Sequence, residues 1–145
     1  MSEHRFFGQE AALGVVAKNS SCTGIVTPVD LYEKLSKVWC ADTCAPRLRD
    51  NWSPENMTLG QCSITAFLVQ DIFGGDVYAV PTGNGLHCYN KVNDAVFDLT
   101  SEQFGEKAGE LVYDCKLLQD RESKDHFAKP EKRARYELLK AKLER

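Results

Sequence analysis

Between positions 61 and 73 the apolar side chains Ile64, Phe67, Leu68 and Ile72 recur every three or four residues, and Gly74-Gly75 follows as a stop. That spacing predicts a helix over 62–73 with Cys62 on its first turn. Upstream, Thr27-Pro28-Val29-Asp30 has the composition of a helix start, with Thr27 as N-cap, Pro28 at the first helical position and Asp30 in the first turn. Leu31, Leu35, Val38 and Trp39 extend it as an amphipathic stripe, predicting a helix over 29–39. Residues 41–60 mix two prolines with turn formers and keep no period, so they read as irregular. Residues 76–81, with Val77, Tyr78 and Val80, read as a strand, and Thr82-Gly83-Asn84-Gly85 as a turn. Two β-like runs, 86–92 and 95–100, flank Asn93-Asp94, a two-residue hairpin turn. A further strand is expected within 111–118, and a charged helix over 129–145 with Tyr136, Leu139 and Leu143 on one stripe. Ahead of all this, residues 3–18 are expected to be helical, with Phe6, Phe7, Ala11, Leu13 and Val16 loosely along one side, until Asn19-Ser20-Ser21 breaks the pattern. The outcome is one α+β domain with residues 1–26 as an N-terminal extension. Helices 29–39 and 62–73 pack on an antiparallel sheet of about four strands.

Charge and composition narrow the function classes. A net charge of −3 offers no electrostatic footprint for nucleic acid. No apolar run approaches the roughly 18 residues of a membrane span, and the polar, acidic start MSEHRFFGQE lacks the features of an export signal. The expected location is the cytoplasm. There, the six cysteines at 22, 40, 44, 62, 88 and 115 are expected to be free, most of them packing as small hydrophobes.

Cys62 stands apart from the other five. A helix amino terminus lowers a thiol pKa, and a neighbouring imidazolium lowers it further. Gly60 ahead of it would let the backbone approach a substrate, and the Cys62 N–H would be free for an oxyanion. The hairpin supplies the rest. With Asn93-Asp94 as the turn, Val92 pairs with Ala95, which sets Tyr89 opposite Asp98 and makes His87 and Asp98 diagonal neighbours on one face. The other face, Leu86, Cys88, Val92, Ala95, Phe97 and Leu99, is nearly all apolar and is expected to be the core face. A carboxylate beside the ring would fix its tautomer and offset its charge. Taken singly, each residue has an ordinary explanation: a buried cysteine, a strand histidine, an aspartate closing a turn. In this order and parity they read together as a Cys62-His87-Asp98 triad.

Gly60-Gln61-Cys62, Leu86-His87-Cys88-Tyr89-Asn90 and Val96-Phe97-Asp98-Leu99-Thr100 together resemble the papain-like superfamily in its transglutaminase-like branch. The stretch WSPENMTLGQCSITAFLVQDIFGG, the His-aromatic-Asn strand and DLTSEQF are more closely similar to the bacterial YunG-like family, over roughly residues 39–104. Cys88 departs from the pattern, which has an aromatic residue directly after the histidine. The resemblance implies a papain-like α+β core and the triad, and it names no substrate.

The remaining candidates are weaker. Gln61 is either an oxyanion donor or a loop amide in water. Trp52 is close enough in sequence to Cys62 to line a cleft, though core or lid packing is the more ordinary explanation. Cys40-x-x-x-Cys44 would be half of a zinc site, but a structural zinc site shows two tight pairs and only one is present. Arg47, Arg49, His4, His126 and the run Lys129, Lys132, Arg133, Arg135 are expected to be solvated. The function expected is thiol-dependent hydrolysis, deamidation or acyl transfer on an amide or thioester, a protein being one candidate substrate, with no cofactor, metal, nucleic acid or membrane. The competing readings are an inactive papain-like scaffold that serves as a binding module, and a structural zinc protein.

Overall fold

A computed structural model describes residues 6–18, 24–83 and 85–144. Residues 3–5, the break at 19–21, Cys22, Asn84 and Arg145 lie outside the described residues, and so does His4. The helices are α1 (Gln9–Ala12), α2 (Pro28–Leu35), α3 (Cys62–Phe73) and α4 (Pro130–Leu143). The strands are β1 (Asp76–Thr82), β2 (Gly85–Val92), β3 (Ala95–Phe97) and β4 (Leu117–Leu118). Short 3-10 segments occupy Ala41–Thr43, Pro46–Asn51 and Ser101–Glu110. The architecture is a mixed α+β one: an antiparallel sheet in the order β3-β2-β1-β4, with helices against it.

The four apolar positions of α3 are all buried, but so are Ser63, Thr65, Ala66, Val69 and Phe73. A helix apolar on most sides belongs inside rather than on a surface, and α3 is contacted by β2 on one side and α4 on another. Two polar bonds lock it in place. Trp39 Nε1 donates to Thr65 Oγ1 at 3.1 Å, tying the end of α2 to α3. Asn90 Nδ2 donates to the Ala66 carbonyl at 2.9 Å, tying β2 to α3. The chain leaves α3 through Gly74 and Gly75, both at positive φ, and a Cβ at Gly75 would meet the Lys91 carbonyl at 2.4 Å.

The hairpin register is the expected one. Val92 pairs with Ala95, and Asn93 takes the left-handed conformation (φ 56°) that such a turn demands. The strand 95–100 stops early, however, at Phe97. Beyond it, Asp98 bridges to Phe7, its N–H donating to the Phe7 carbonyl at 2.9 Å, so the N-terminal segment takes over the edge.

Other expectations need correcting. The helix over 3–18 is only the single turn Gln9–Ala12, and its apolar face is not the expected one: Phe6, Ala12 and Val15 are buried while Leu13 and Val16 are exposed. Phe6 and Val15 pack beside Tyr32 and the α3 core instead. The helix 29–39 ends at Leu35, followed by turns that still bond Val38 and Trp39 back to the Leu35 carbonyl. The strand expected within 111–118 shrinks to two residues, paired with Tyr78 and Ala79. Leu86, placed on the core face, is 44% exposed and lines a cleft instead. Cys88, Val92, Phe97 and Leu99 are buried as read.

Candidate active site

Cys62 opens α3, with Gln61 as N-cap and the first intrahelical bond running from Thr65 N–H to the Gln61 carbonyl. The first N–H groups of a helix lack intrahelical acceptors, so the sulfur sits at the positive end of the helix. Gly60 is required here for a reason the sequence did not show. It adopts φ 73°, and a Cβ on it would meet Cys44 Sγ at 2.4 Å and Ala45 N at 2.9 Å. The glycine lets the 41–45 loop, with the buried Cys44, press against the chain entering α3.

His87 and Asp98 meet as the hairpin parity required. Nε2 of His87 lies 2.6 Å from Oδ2 of Asp98, and both side chains are about 2% exposed or less. Asp98 is held by donors on both oxygens. Thr100 gives its N–H and its hydroxyl to Oδ1, at 3.1 and 3.2 Å, and the Tyr113 hydroxyl donates to Oδ2 at 2.8 Å. The hairpin face carrying the pair is thus covered rather than open. Phe104 packs edge-on against the His87 ring, and Tyr113 stacks on Phe7.

Cys62 meets two partners. It lines one cleft with Cys88 and His87, and both side chains act on its thiol. The Cys88 placement follows from the Asn90–Ala66 bond. One helical turn back from Ala66 is Cys62, roughly 6 Å along the axis, and two strand residues back from Asn90 is Cys88, roughly 6.6 Å away on the same face. The Cys88 hydrogen bond, against the opposing effect of burial and with help from His87, holds the Cys62 thiol well below its usual range. Burial disfavours a charged His87, but the Asp98 carboxylate and Cys62 outweigh it and carry the imidazole up to about 10. Cys88 is pushed well above the ordinary thiol range, chiefly by its bond to Cys62 and by burial. These opposite shifts favour a negative charge on Cys62 and a positive one on His87, with Cys88 remaining a thiol.

The cluster lies at a cleft of about 290 Å³ lined by Gly60, Cys62, Leu86, His87, Phe104 and, from the far side, His126 and Lys132. Cys62 itself is partly exposed to it. Gln61 and Trp52 lie elsewhere. Gln61 is fully buried and turns away, its Nε2 donating to the Cys40 carbonyl at 3.1 Å. Trp52 spends its indole N–H on the Met57 carbonyl at 2.9 Å. Neither is among the residues that line the cleft.

Sequence reasoning missed the second wall. His126 and Arg135, expected in water, are 3% and 6% exposed. Arg135 bonds Glu131 and donates to the Thr43 carbonyl at 3.1 Å, fastening α4 to the 41–45 loop. Arg49 likewise donates to the carbonyls of Ala41, Asp42 and Cys44. Arg47 is exposed and lines the cleft. Among the described residues, no group of three or more His, Cys, Asp and Glu side chains is placed to hold a metal ion.

This is an α+β protein in which a buried His87-Asp98 pair and a partly exposed Cys62 meet at the foot of the central helix. A family model described as YunG protein matches residues 27–145, and the chain belongs to that family. It is similar to a Bacillus subtilis (strain 168) protein named "Uncharacterized protein YunG", 43% identical over 53 residues, 37% of this chain and 46% of that relative. The match thus covers a little under half of the relative's length. No solved structure matches. No helix among the described residues is long and apolar enough to cross a membrane.

Proposed function

We propose that the protein is a cysteine enzyme of papain-like, transglutaminase-like design that acts on an amide or thioester through an acyl-cysteine intermediate. The observation that carries this reading is the continuous chain Cys62–His87–Asp98, in which a depressed thiol faces an imidazole whose far nitrogen is bonded to a buried carboxylate. The order of a helix bearing Cys62, a strand bearing His87 and Asp98 directly after the next strand supports the same design.

In this mechanism the Cys62 thiolate attacks the acyl carbonyl, and the Cys62 N–H at the helix start stabilises the oxyanion. His87, already protonated, gives its proton to the departing amine or thiolate as the bond to it breaks. Neutral His87 then takes a proton from water or an acceptor amine, which attacks the acyl-cysteine and regenerates the thiolate. Water gives hydrolysis or deamidation, and an amine gives acyl transfer. Asp98 holds the ring in orientation and offsets its charge throughout.

Incubation with a panel of short acyl thioesters, followed by intact and peptide mass spectrometry, tests this. One acyl group is expected on Cys62, lost on adding water or amine with time, and absent from Cys62→Ala. Cys62 that alkylates rapidly yet is never acylated across the panel would instead favour a binding module on the same scaffold.

A further inference from the structure

The far wall of the cleft carries a cation that the triad mechanism does not use. Lys132, on the first turns of α4, is half-buried and lines the cleft with Cys62 and His87. Its ammonium is held by two uncharged acceptors, the Asp125 carbonyl at 2.7 Å and His126 Nδ1 at 3.3 Å. His126 suits that task. Its Nε2–H donates to Gln119 Oε1 at 2.8 Å, which leaves Nδ1 as the acceptor. Burial and the nearby Lys132 charge hold it down to about 4, neutral at physiological pH. An ammonium has three donors, so one N–H remains beyond these two bonds.

The charges around Lys132 are of both signs, with Cys62 the negative group across the cleft. Among the described residues Lys132 makes no ion pair with a carboxylate. Of the neighbouring cations on α4, Arg133 lies 4.0 Å from Glu122 and Arg135 is matched by Glu131. Arg47 and the exposed Asp125 also line the cleft. Burial disfavours the charged Lys132 ammonium, Cys62 in the same cleft favours it, and an anion arriving beside it favours it further.

We propose that this cleft takes substrates whose acyl portion carries an anionic group of carboxylate size, held by Lys132 next to Cys62 with Arg47 as a second cation. A cavity of about 290 Å³ suits an acyl group of that size better than a long peptide. The inference rests on the thiolate reading of Cys62 and adds the class of substrate to it.

Two alkylating agents that differ mainly in charge test it: iodoacetate, which carries a carboxylate, and iodoacetamide, which does not. The same Cys62 thiolate attacks the CH₂ of each and displaces iodide, so the ratio of their rates cancels any change in thiolate population. In Lys132→Gln the iodoacetate-to-iodoacetamide ratio is expected to fall about tenfold, the size of one partly screened charge contact. Lys132→Arg is expected to keep most of it. A ratio unchanged in Lys132→Gln, or lost equally in Lys132→Arg, overturns the proposal. A second measurement needs no variant. Short dicarboxylates are expected to protect wild-type Cys62 from iodoacetamide and their neutral diamides are not, and equal protection by both would count against the anion site. Wild-type Cys62 inert to both reagents would instead overturn the thiolate reading, and this inference with it.

Discussion

His87 Nε2 stands 2.6 Å from Asp98 Oδ2 in surroundings closed to water, and this contact divides the two ring nitrogens between two tasks. With Nε2 committed to the carboxylate, Nδ1 is the nitrogen that serves Cys62. The carboxylate is itself fixed by Thr100 and Tyr113, so the ring has little freedom to turn.

Replacing that carboxylate by an amide of the same shape is the first test. In Asp98→Asn the group facing Nε2 and the Tyr113 hydroxyl loses its charge, so the His87 pKa falls and the thiolate loses its partner. Alkylation of Cys62 near neutral pH is expected to slow between about tenfold and 10³-fold, less than the ~10⁴ of a serine triad, because the ion pair exists before the reaction starts. Reactivity should return in part at higher pH. Unchanged rates in a folded Asp98→Asn protein would remove Asp98 from the mechanism.

What the sequence revealed of this site follows from local rules. The period of α3 and the Asn93-Asp94 turn each depend on a few adjacent residues, and together they set Cys62 on a helix start and His87 diagonal to Asp98. Contacts made across long sequence gaps were not legible. Tyr113 reaches Asp98, and His126 and Lys132 reach the cleft, from segments whose own pattern is merely polar and charged. Gln61 misled because adjacency to the nucleophile suggested the cleft, whereas the turn into α3 sends its side chain to Cys40. Phe7 pairing with Asp98 shortened β3, an exchange of edge partners that no periodicity encodes.

Cys88 offers a second test, since its hydrogen bond is the strongest influence lowering the Cys62 thiol. Cys88→Ala is expected to raise the Cys62 pKa, though not to that of an ordinary thiol, because His87 remains. Thiolate ultraviolet absorbance followed against pH reads this directly. A Cys62 titration identical to the wild type would show that Cys88 gives the thiolate no support.

The lock between sheet and helix can be weighed by Asn90→Ala. This change removes a buried bond to the Ala66 carbonyl and leaves a small void, for an expected loss of about 1–3 kcal/mol in urea unfolding. No loss would mean that the register of Cys62 over Cys88 is set by packing alone.

His126 predicts a behaviour on the acid side. Its folded pKa of about 4 lies below the ordinary 6.5, so the fold favours the neutral ring. That contribution is complete above 6.5 and is lost as the pH falls toward 4. Imidazole resonances in a pH titration should show His126 still neutral at pH 5. A midpoint near 6.5 would contradict its place between Gln119 and Lys132.

The central claim is that Cys62 and His87 form an ion pair at neutral pH, and the pH dependence of Cys62 alkylation tests it most directly. His87, raised to about 10, contributes stability through its charged form that is complete below 6.5 and lost as the pH rises through about 10. Across that window the thiolate has its partner. The iodoacetamide rate at Cys62, mapped by peptide mass spectrometry, is therefore expected to be high already at pH 6, to stay level through neutrality and to change again near 10. A rate at Cys62 that is low at pH 6 and climbs steadily toward pH 9 would contradict the account.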